Sequence, residues 1–179
     1  MQQTASSLST PTTFIGVLAS CWGMAGFFLL LLIAINKLSA IALEAFSQNL
    51  NAWHWTALLI NCVFMAYSEG YKGFQKSYSP RLAARARHLS SHANLLQLIL
   101  APLFCMGFFS APKRRIISSI LLTIMIIVFV LTFKLLPQPW RGILDAGVVV
   151  GLSWGLLATA LFCIQAFFSS SFDIDPEVA

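Results

Sequence analysis

Residues 116–136 carry no ionisable side chain before Lys134, and apolar runs of this kind make up most of the chain. A helix needs about 20 mostly apolar residues to cross the hydrocarbon core of a bilayer, which is roughly 30 Å thick. Only 9% of the residues are charged, whereas a soluble domain has about 25%. Such a chain cannot cover itself with a surface that water solvates, so we expect an integral membrane protein.

The apolar runs lack the alternation of a β-barrel and therefore predict helices, which satisfy their own backbone hydrogen bonds in lipid. We expect one all-helical transmembrane domain, residues 14–168, with about four or five spans and one or two interfacial amphipathic helices. A polar tail, residues 1–13, precedes it and an acidic tail, residues 169–179, follows it. The predicted spans are residues 14–35, 52–67, 89–109, 116–136 and 143–168, and residues 38–50 are predicted to lie in the interface.

The first apolar run is expected to be a retained span, because no Lys or Arg precedes it as in a secretory signal. Lys and Arg in short loops prefer the cytoplasmic side. If all five runs cross, seven of these residues lie on one side and four on the other. Residues 68–88 and the N-terminus are then inside and the acidic tail is outside, but Lys113, Arg114 and Arg115 fall outside too. The alternative is that Pro102 makes the third run a re-entrant hairpin, which brings the tail inside.

Residues 68–88, SEGYKGFQKSYSPRLAARARH, contain five of the eleven Lys and Arg side chains. Ser79 followed by Pro80 predicts the start of a helix, with a capping residue and a first-turn residue in order. Beyond it, four basic side chains recur every three or four residues and so share one helical face. They are Arg81, Arg85, His88 and His92.

This cationic stripe, with aromatic residues before it, is typical of an interfacial helix that binds anionic lipid headgroups. The alternatives are a phosphate or carboxylate ligand held by Arg81 and Arg85, or a protein partner. Glu69 is the only acid in the same stretch. We expect Glu69 to neutralise Lys72 and Arg81 at the membrane boundary.

Two polar residues within the predicted spans are candidates for structural roles. Asn61 shares a face with His54 and Ser68, because the three recur every seven residues. Polar groups in membrane helices usually face other helices, so we predict that Asn61 bonds between helices rather than to a ligand. Asp145 follows Arg141 by four residues, which predicts a local ion pair, with a proton-relay or substrate role as the alternative.

Small residues recur every four positions in the last span, at Gly147, Gly151, Gly155 and Thr159. This strip lets another helix approach backbone to backbone. The partner helix is either in the same chain, which we favour, or in a neighbouring subunit.

The sequence calls for no metal and no cofactor. His88 and His92 are spaced as two metal ligands on one face, but no nearby Asp, Glu or Cys completes a ligand set. The four cysteines lie in different apolar runs without a CxxC pair, and nucleotide and protease motifs are absent. Whether the chain is an enzyme stays open.

The run AYSEGYKGFQKSYSPR, residues 66–81, resembles a stretch in small uncharacterised multi-span membrane proteins of cyanobacteria and chloroplasts. The resemblance implies a bacterial inner membrane or a thylakoid membrane. It implies no activity and no functional residue.

We therefore expect a non-catalytic accessory, assembly or scaffold subunit that packs on membrane protein partners through the glycine strip and the cationic segment. Anionic lipids are further expected partners, and nucleic acid is not. The alternative is a small membrane enzyme or carrier that acts on an amphiphilic isoprenoid, pigment or lipid. Its cavity would lie between the second and third spans, lined by Asn61, Glu69, Arg81, Arg85, His88 and His92.

Overall fold

A computed structural model describes residues 13–169 and 172–178, and this part of the chain is all-helical, as predicted, with no strand. Most of the predicted N-terminal tail, with residues 170, 171 and 179 of the acidic tail, lies outside the described residues. In this part of the chain, three helices are long and apolar enough to cross a membrane: Phe14–Phe46, Lys113–Phe133 and Trp140–Phe168. The elements are α1 Phe14–Phe46, α2 Ala52–Met65, a π-helix Ala66–Tyr78, α3 Ser79–His92, α4 Leu95–Ile99, α5 Ala101–Cys105, α6 Lys113–Phe133 and α7 Trp140–Phe168.

Helix α1 is longer than the first predicted span. It begins after Thr13, whose Oγ1 accepts a hydrogen bond from the Gly16 N–H at 3.1 Å, and it continues for 33 residues. Asn36 and Lys37 do not end it, because no Gly or Pro follows Gly26 in this helix and the later residues are good helix formers. The prediction of a separate interfacial helix over residues 38–50 is therefore wrong.

The third predicted span, residues 89–109, is not a continuous helix. Asn94 begins α4, where its backbone N–H bonds to the Gln97 side chain at 3.0 Å, and α4 and α5 have five residues each. Pro102 lies in the first turn of α5, the position that a proline tolerates best. Gly107 then reverses the chain with a φ of +82°, a value that favours glycine. The chain therefore turns here instead of continuing as one span-length helix.

Helix α2, the π-helix and α3 follow one another without a break and form one long helix. Helix α1 runs antiparallel to it. Near the start of α1, the Ser20 hydroxyl donates to the Ala86 carbonyl at 2.7 Å, whereas near its end the Phe46 ring lies 5.9 Å from the Trp55 ring. Between them, the ring of Phe27 contacts Tyr78 at 5.4 Å.

Helix α7 runs parallel to the long helix. Asn61 contacts α7 near its start, and the Ser79 hydroxyl bonds to the Thr159 hydroxyl at 2.7 Å two thirds of the way along. One end of the molecule therefore holds the start of α1 and the ends of α3 and α7. We call it the tail end, because residues 172–178 lie there, and we call the other the opposite end.

The π-helix is a wide helix in which residues five apart lie above one another. The Ser79 N–H bonds to the Phe74 carbonyl five residues back, and Lys72 lies over the Tyr67 ring at 5.4 Å with the same spacing. Pro80 lies in the first turn of α3, as predicted, where it has no N–H to donate and its ring crowds a regular turn. The wider π-helical turn before Pro80 leaves room for the proline ring, so the helix continues past Pro80 without a break. Ser79 is not a cap, contrary to the prediction, since its side chain bonds to Thr159 instead.

Helix α6 stands apart from the bundle. None of its residues is buried, and it does not pack along another helix of the described chain. Among residues 13–169 and 172–178, the polar contacts that link α6 to other elements lie in its first two turns. There Arg115 lies near Glu177, and the Ser119 hydroxyl donates to the Met106 carbonyl at 3.3 Å.

Candidate functional site

The cationic face of α3 is covered by the acidic tail of the same chain. Arg87 donates to the Phe172 carbonyl at 2.9 Å, and Arg81 pairs with the Glu177 carboxylate at 3.4 Å. The later residue of α3, Arg87, contacts the earlier residue of the tail, Phe172, whereas Arg81 contacts Glu177. The tail therefore runs antiparallel to α3. The four basic residues predicted to share a face all lie on this side of α3, but the face is not free as the interfacial-anchor interpretation requires.

Arg85 is the centre of this contact and is only 2% exposed. All of its nitrogens donate to backbone carbonyl oxygens, and its guanidinium lies 4.2 Å from the centre of the Phe104 ring. Burial lowers the pKa of Arg85, although a guanidinium stays protonated in proteins. Arg85 therefore holds α3, α5, the following loop and the tail together. The accepting oxygens, at 2.7 to 3.2 Å, belong to Phe104, Phe109, Ser110, Pro176 and Glu177.

Glu177 is shared by two arginines from different helices. Its carboxylate lies 3.4 Å from the Nε of Arg81 on α3 and 3.8 Å from the Nε of Arg115 on α6. These pairs replace the predicted neutralisation of Arg81 by Glu69. Sequence reasoning missed both Glu177 and Arg115, because the five-span topology places them away from residues 68–88. The acidic tail and the basic residues of α3 have opposite charges, and this feature of the sequence could have predicted their contact.

Glu69 lies between the π-helix and α7, half-buried against Gly151. In the described part of the chain it forms no ion pair. Its predicted partner Lys72 instead lies over the Tyr67 ring. Glu69 is thus a candidate site residue that stays apart from the other charged groups.

His88 and His92 stack with ring centres 4.7 Å apart and line a cleft of about 240 Å³ between α3 and the tail. Arg87 and Asp173 also line it. Burial lowers the pKa of His88, and the nearby His92 and Arg85 lower it further. Residues 13–169 and 172–178 contain no group of three His, Cys, Asp or Glu side chains that could hold a metal ion.

The structural roles predicted for Asn61 and Asp145 are confirmed. The Asn61 amide donates to the carbonyls of Ile143 and Leu144 on α7, at 2.9 and 3.3 Å. Asp145 lies 3.9 Å from the Nε of Arg141, one turn back on the same helix. Asn61 therefore joins the long helix to α7 at the opposite end of the bundle, whereas the Asp145 pair lies within α7.

The glycine strip of α7 faces the long helix of its own chain. A methyl group added at Gly155 would lie 2.5 Å from ring atoms of Phe74, which shows how closely the two helices approach. The strip thus packs within the chain, the arrangement that the sequence analysis favoured. The contacts are Gly147 with Asn61, Gly151 with Glu69, Gly155 with Phe74 and Thr159 with Ser79.

The six residues proposed to line an enzyme cavity do not converge. Asn61 and His92 lie on one helix, roughly 46 Å apart at 1.5 Å per residue. The six residues divide between two faces. Asn61 and Glu69 face α7, whereas the four basic residues face the tail, and two of these, His88 and His92, line the cleft there.

No protein-family model, curated protein or solved structure matches this chain. The resemblance of residues 66–81 to cyanobacterial and chloroplast membrane proteins therefore stays a prediction. Function has to be argued from the residues and their contacts.

Proposed function

We propose that this chain is a non-catalytic integral membrane subunit, an accessory or scaffold protein that assembles with membrane protein partners. One observation supports this role above others. The buried polar side chains, such as Arg85 and Asn61, are saturated by contacts within the chain. In residues 13–169 and 172–178, no buried side-chain nitrogen or oxygen lacks a hydrogen-bond partner. A catalytic site would instead keep convergent polar groups open to a substrate.

We further propose four membrane crossings, by α1, by the long helix through α2, by α6 and by α7. Helices α4 and α5 then form a hairpin at the tail end. This arrangement collects six Lys and Arg at the tail end and leaves two at the opposite end, while Lys37, Lys72 and Lys76 lie level with the middle of α1 and α7. By the positive-inside rule, the tail end is cytoplasmic or its equivalent in an organelle. The six are Arg81, Arg85, Arg87, Lys113, Arg114 and Arg115, and the two are Lys134 and Arg141.

Cysteine labelling tests the four crossings. In a variant whose native cysteines are replaced by alanine, Lys113→Cys and Asp175→Cys are expected to react with an impermeant maleimide from the same face of oriented vesicles. Asn49→Cys, in the exposed loop between α1 and α2, is expected to react only from the other face. Labelling of position 49 from the same face as positions 113 and 175 would restore the five-span topology.

The surface for the partner is α6. The glycine strip is occupied within the chain, so it cannot serve the partner as the sequence analysis expected. Helix α6 has no buried residue, and it offers all its sides to a transmembrane helix of another protein. Helices in lipid associate by van der Waals packing, which requires such a free surface.

A photo-crosslinker tests this surface in native membranes. Ile124 on α6 and Leu30 on α1 are equally exposed, at 52% and 51%. A benzophenone residue at position 124 is expected to give discrete protein adducts, whereas the same residue at position 30 gives lipid adducts. If both positions yield lipid adducts alone, α6 is an ordinary lipid-facing helix and the scaffold role is refuted.

The cleft beside His88 and His92 favours a second candidate, an enzyme or carrier for an amphiphile. In this cleft, imidazole and guanidinium groups border open space together. Recovery of one amphiphile with the purified protein, and its loss in His88→Ala, would favour this function over the scaffold role.

A further inference from the structure

The tail end carries more positive than negative charge around Glu177. Three guanidinium groups, those of Arg81, Arg85 and Arg115, approach this residue. One carboxylate faces them, and its side chain is 34% exposed. These four groups sum to a net charge of +2, since all three guanidiniums stay protonated. The Asp175 carboxylate lies beside them and accepts a hydrogen bond from the Glu177 N–H at 2.8 Å.

The distances show that the carboxylate does not fill the space between its two partners. Its oxygens lie 3.4 Å from Arg81 and 3.8 Å from Arg115, whereas charge-assisted hydrogen bonds are about 2.7 to 2.9 Å long. Each carboxylate oxygen faces one arginine, and neither oxygen comes within the distance of a charge-assisted hydrogen bond. A tetrahedral group with more oxygens and a second negative charge matches the pair better.

Donors for such a group are available. The Arg115 guanidinium makes no hydrogen bond within residues 13–169 and 172–178, and the Arg81 guanidinium makes one long bond to the Ser77 hydroxyl at 3.4 Å. The donors of Arg85 are all taken by carbonyl oxygens, so Arg85 contributes charge alone. Guanidinium groups bind phosphate with paired, parallel N–H donors.

We infer that Arg81 and Arg115 form a binding site for a phosphate group, which the Glu177 carboxylate occupies when no phosphate is bound. The site is partly open, with the Arg81 and Arg115 side chains 35% and 19% exposed. It lies at the first turns of α6, where a lipid headgroup would present its phosphate. The inference holds whether or not the chain is a scaffold, because it rests on the charges at the tail end and not on α6 as a docking surface.

Displacing the carboxylate does not require the tail to leave. Arg85 and Arg87 hold the tail through its backbone carbonyls, which are unchanged when the Glu177 side chain turns away. Glu177→Gln therefore removes the competing charge and keeps these contacts. Arg115→Gln removes half of the site, and Arg114→Gln is its matched control, since Arg114 is exposed and does not face Glu177.

The experiment measures binding to the full-length protein in neutral detergent by native mass spectrometry, with phosphatidic acid, phosphatidylcholine and inorganic phosphate as probes. Phosphatidic acid is expected to bind about tenfold more tightly to Glu177→Gln than to the wild type. Arg115→Gln is expected to weaken binding of phosphatidic acid about tenfold. Arg114→Gln is expected to change this binding little. Phosphatidylcholine is expected to bind weakly to every variant.

Two results overturn the inference: no gain in Glu177→Gln, or an equal loss in Arg114→Gln and Arg115→Gln, which would indicate unspecific charge attraction. Binding of inorganic phosphate as well as phosphatidic acid identifies a free phosphate site, and binding of the lipid alone identifies a headgroup site. If Arg115→Gln does not fold, Arg81→Gln provides the same comparison, because it removes the other half of the pair.

Discussion

Replacement of Arg85 by leucine is expected to destabilise the protein by about 3 to 5 kcal/mol. The guanidinium is buried and donates to five carbonyl oxygens from three segments of the chain. Leucine removes all five bonds. The Phe104 carbonyl keeps the Gly107 N–H at 3.0 Å, but burying the acceptors that lose their donor is costly. The measurement is the free energy of unfolding in detergent micelles, with release of the tail followed by limited proteolysis.

Arg87→Leu is the matched control. Arg87 lies two residues further along α3, is exposed and donates to one carbonyl, that of Phe172. Its loss is expected to cost about 1 kcal/mol or less. Equal losses in both variants would mean that the Arg85 contacts contribute nothing beyond the general charge of α3.

Gly155→Val is expected to destabilise the folded monomer by about 2 to 3 kcal/mol. The added side chain would begin 2.5 Å from the Phe74 ring, which lies between α7 and the π-helix and has little room to move. The two helices must then separate, and the contacts on either side of the glycine weaken with them. Unfolding of the monomer in detergent measures the loss.

Gly73→Val controls for the lower helix propensity of valine. Gly73 is exposed on the π-helix, and the nearest atom to an added methyl group is the Ser68 carbonyl oxygen at 3.4 Å. We expect a cost below about 1 kcal/mol at this position. If Gly155→Val instead dissociates an oligomer and leaves the monomer as stable as before, the strip serves a neighbouring subunit.

The apolar runs were sufficient to predict the helical class and the two long helices α6 and α7. The boundary of α1 was not predictable from charge, because a long helix leaves the hydrocarbon region without ending. Lys37 is an exposed residue in the middle of that helix. Polarity marks where a chain meets water, whereas a helix ends where a capping residue, a glycine or a proline lets it end.

The spacing of Arg81 and Arg85 correctly placed them on one face, since helical geometry is local. The choice of their partner is not local. Glu69 is close to Arg81 in sequence, but twelve residues of helix place the two about 18 Å apart along its axis. Glu177 is distant in sequence and adjacent in space, because the hairpin over α4 and α5 brings the tail back to α3. Such a pair can be identified only after the path of the chain is known.

The π-helix also sets the rotational phase between the two halves of the long helix. Each residue of a regular helix turns the chain by about 100°. Glu69, Phe74 and Ser79 all face α7 because each wide turn takes up one extra residue. Deleting a single residue between positions 66 and 78 would swing every arginine of α3 a quarter turn or more away from the tail, while α2 kept its orientation. The number of residues in this segment is therefore as constrained as their chemistry.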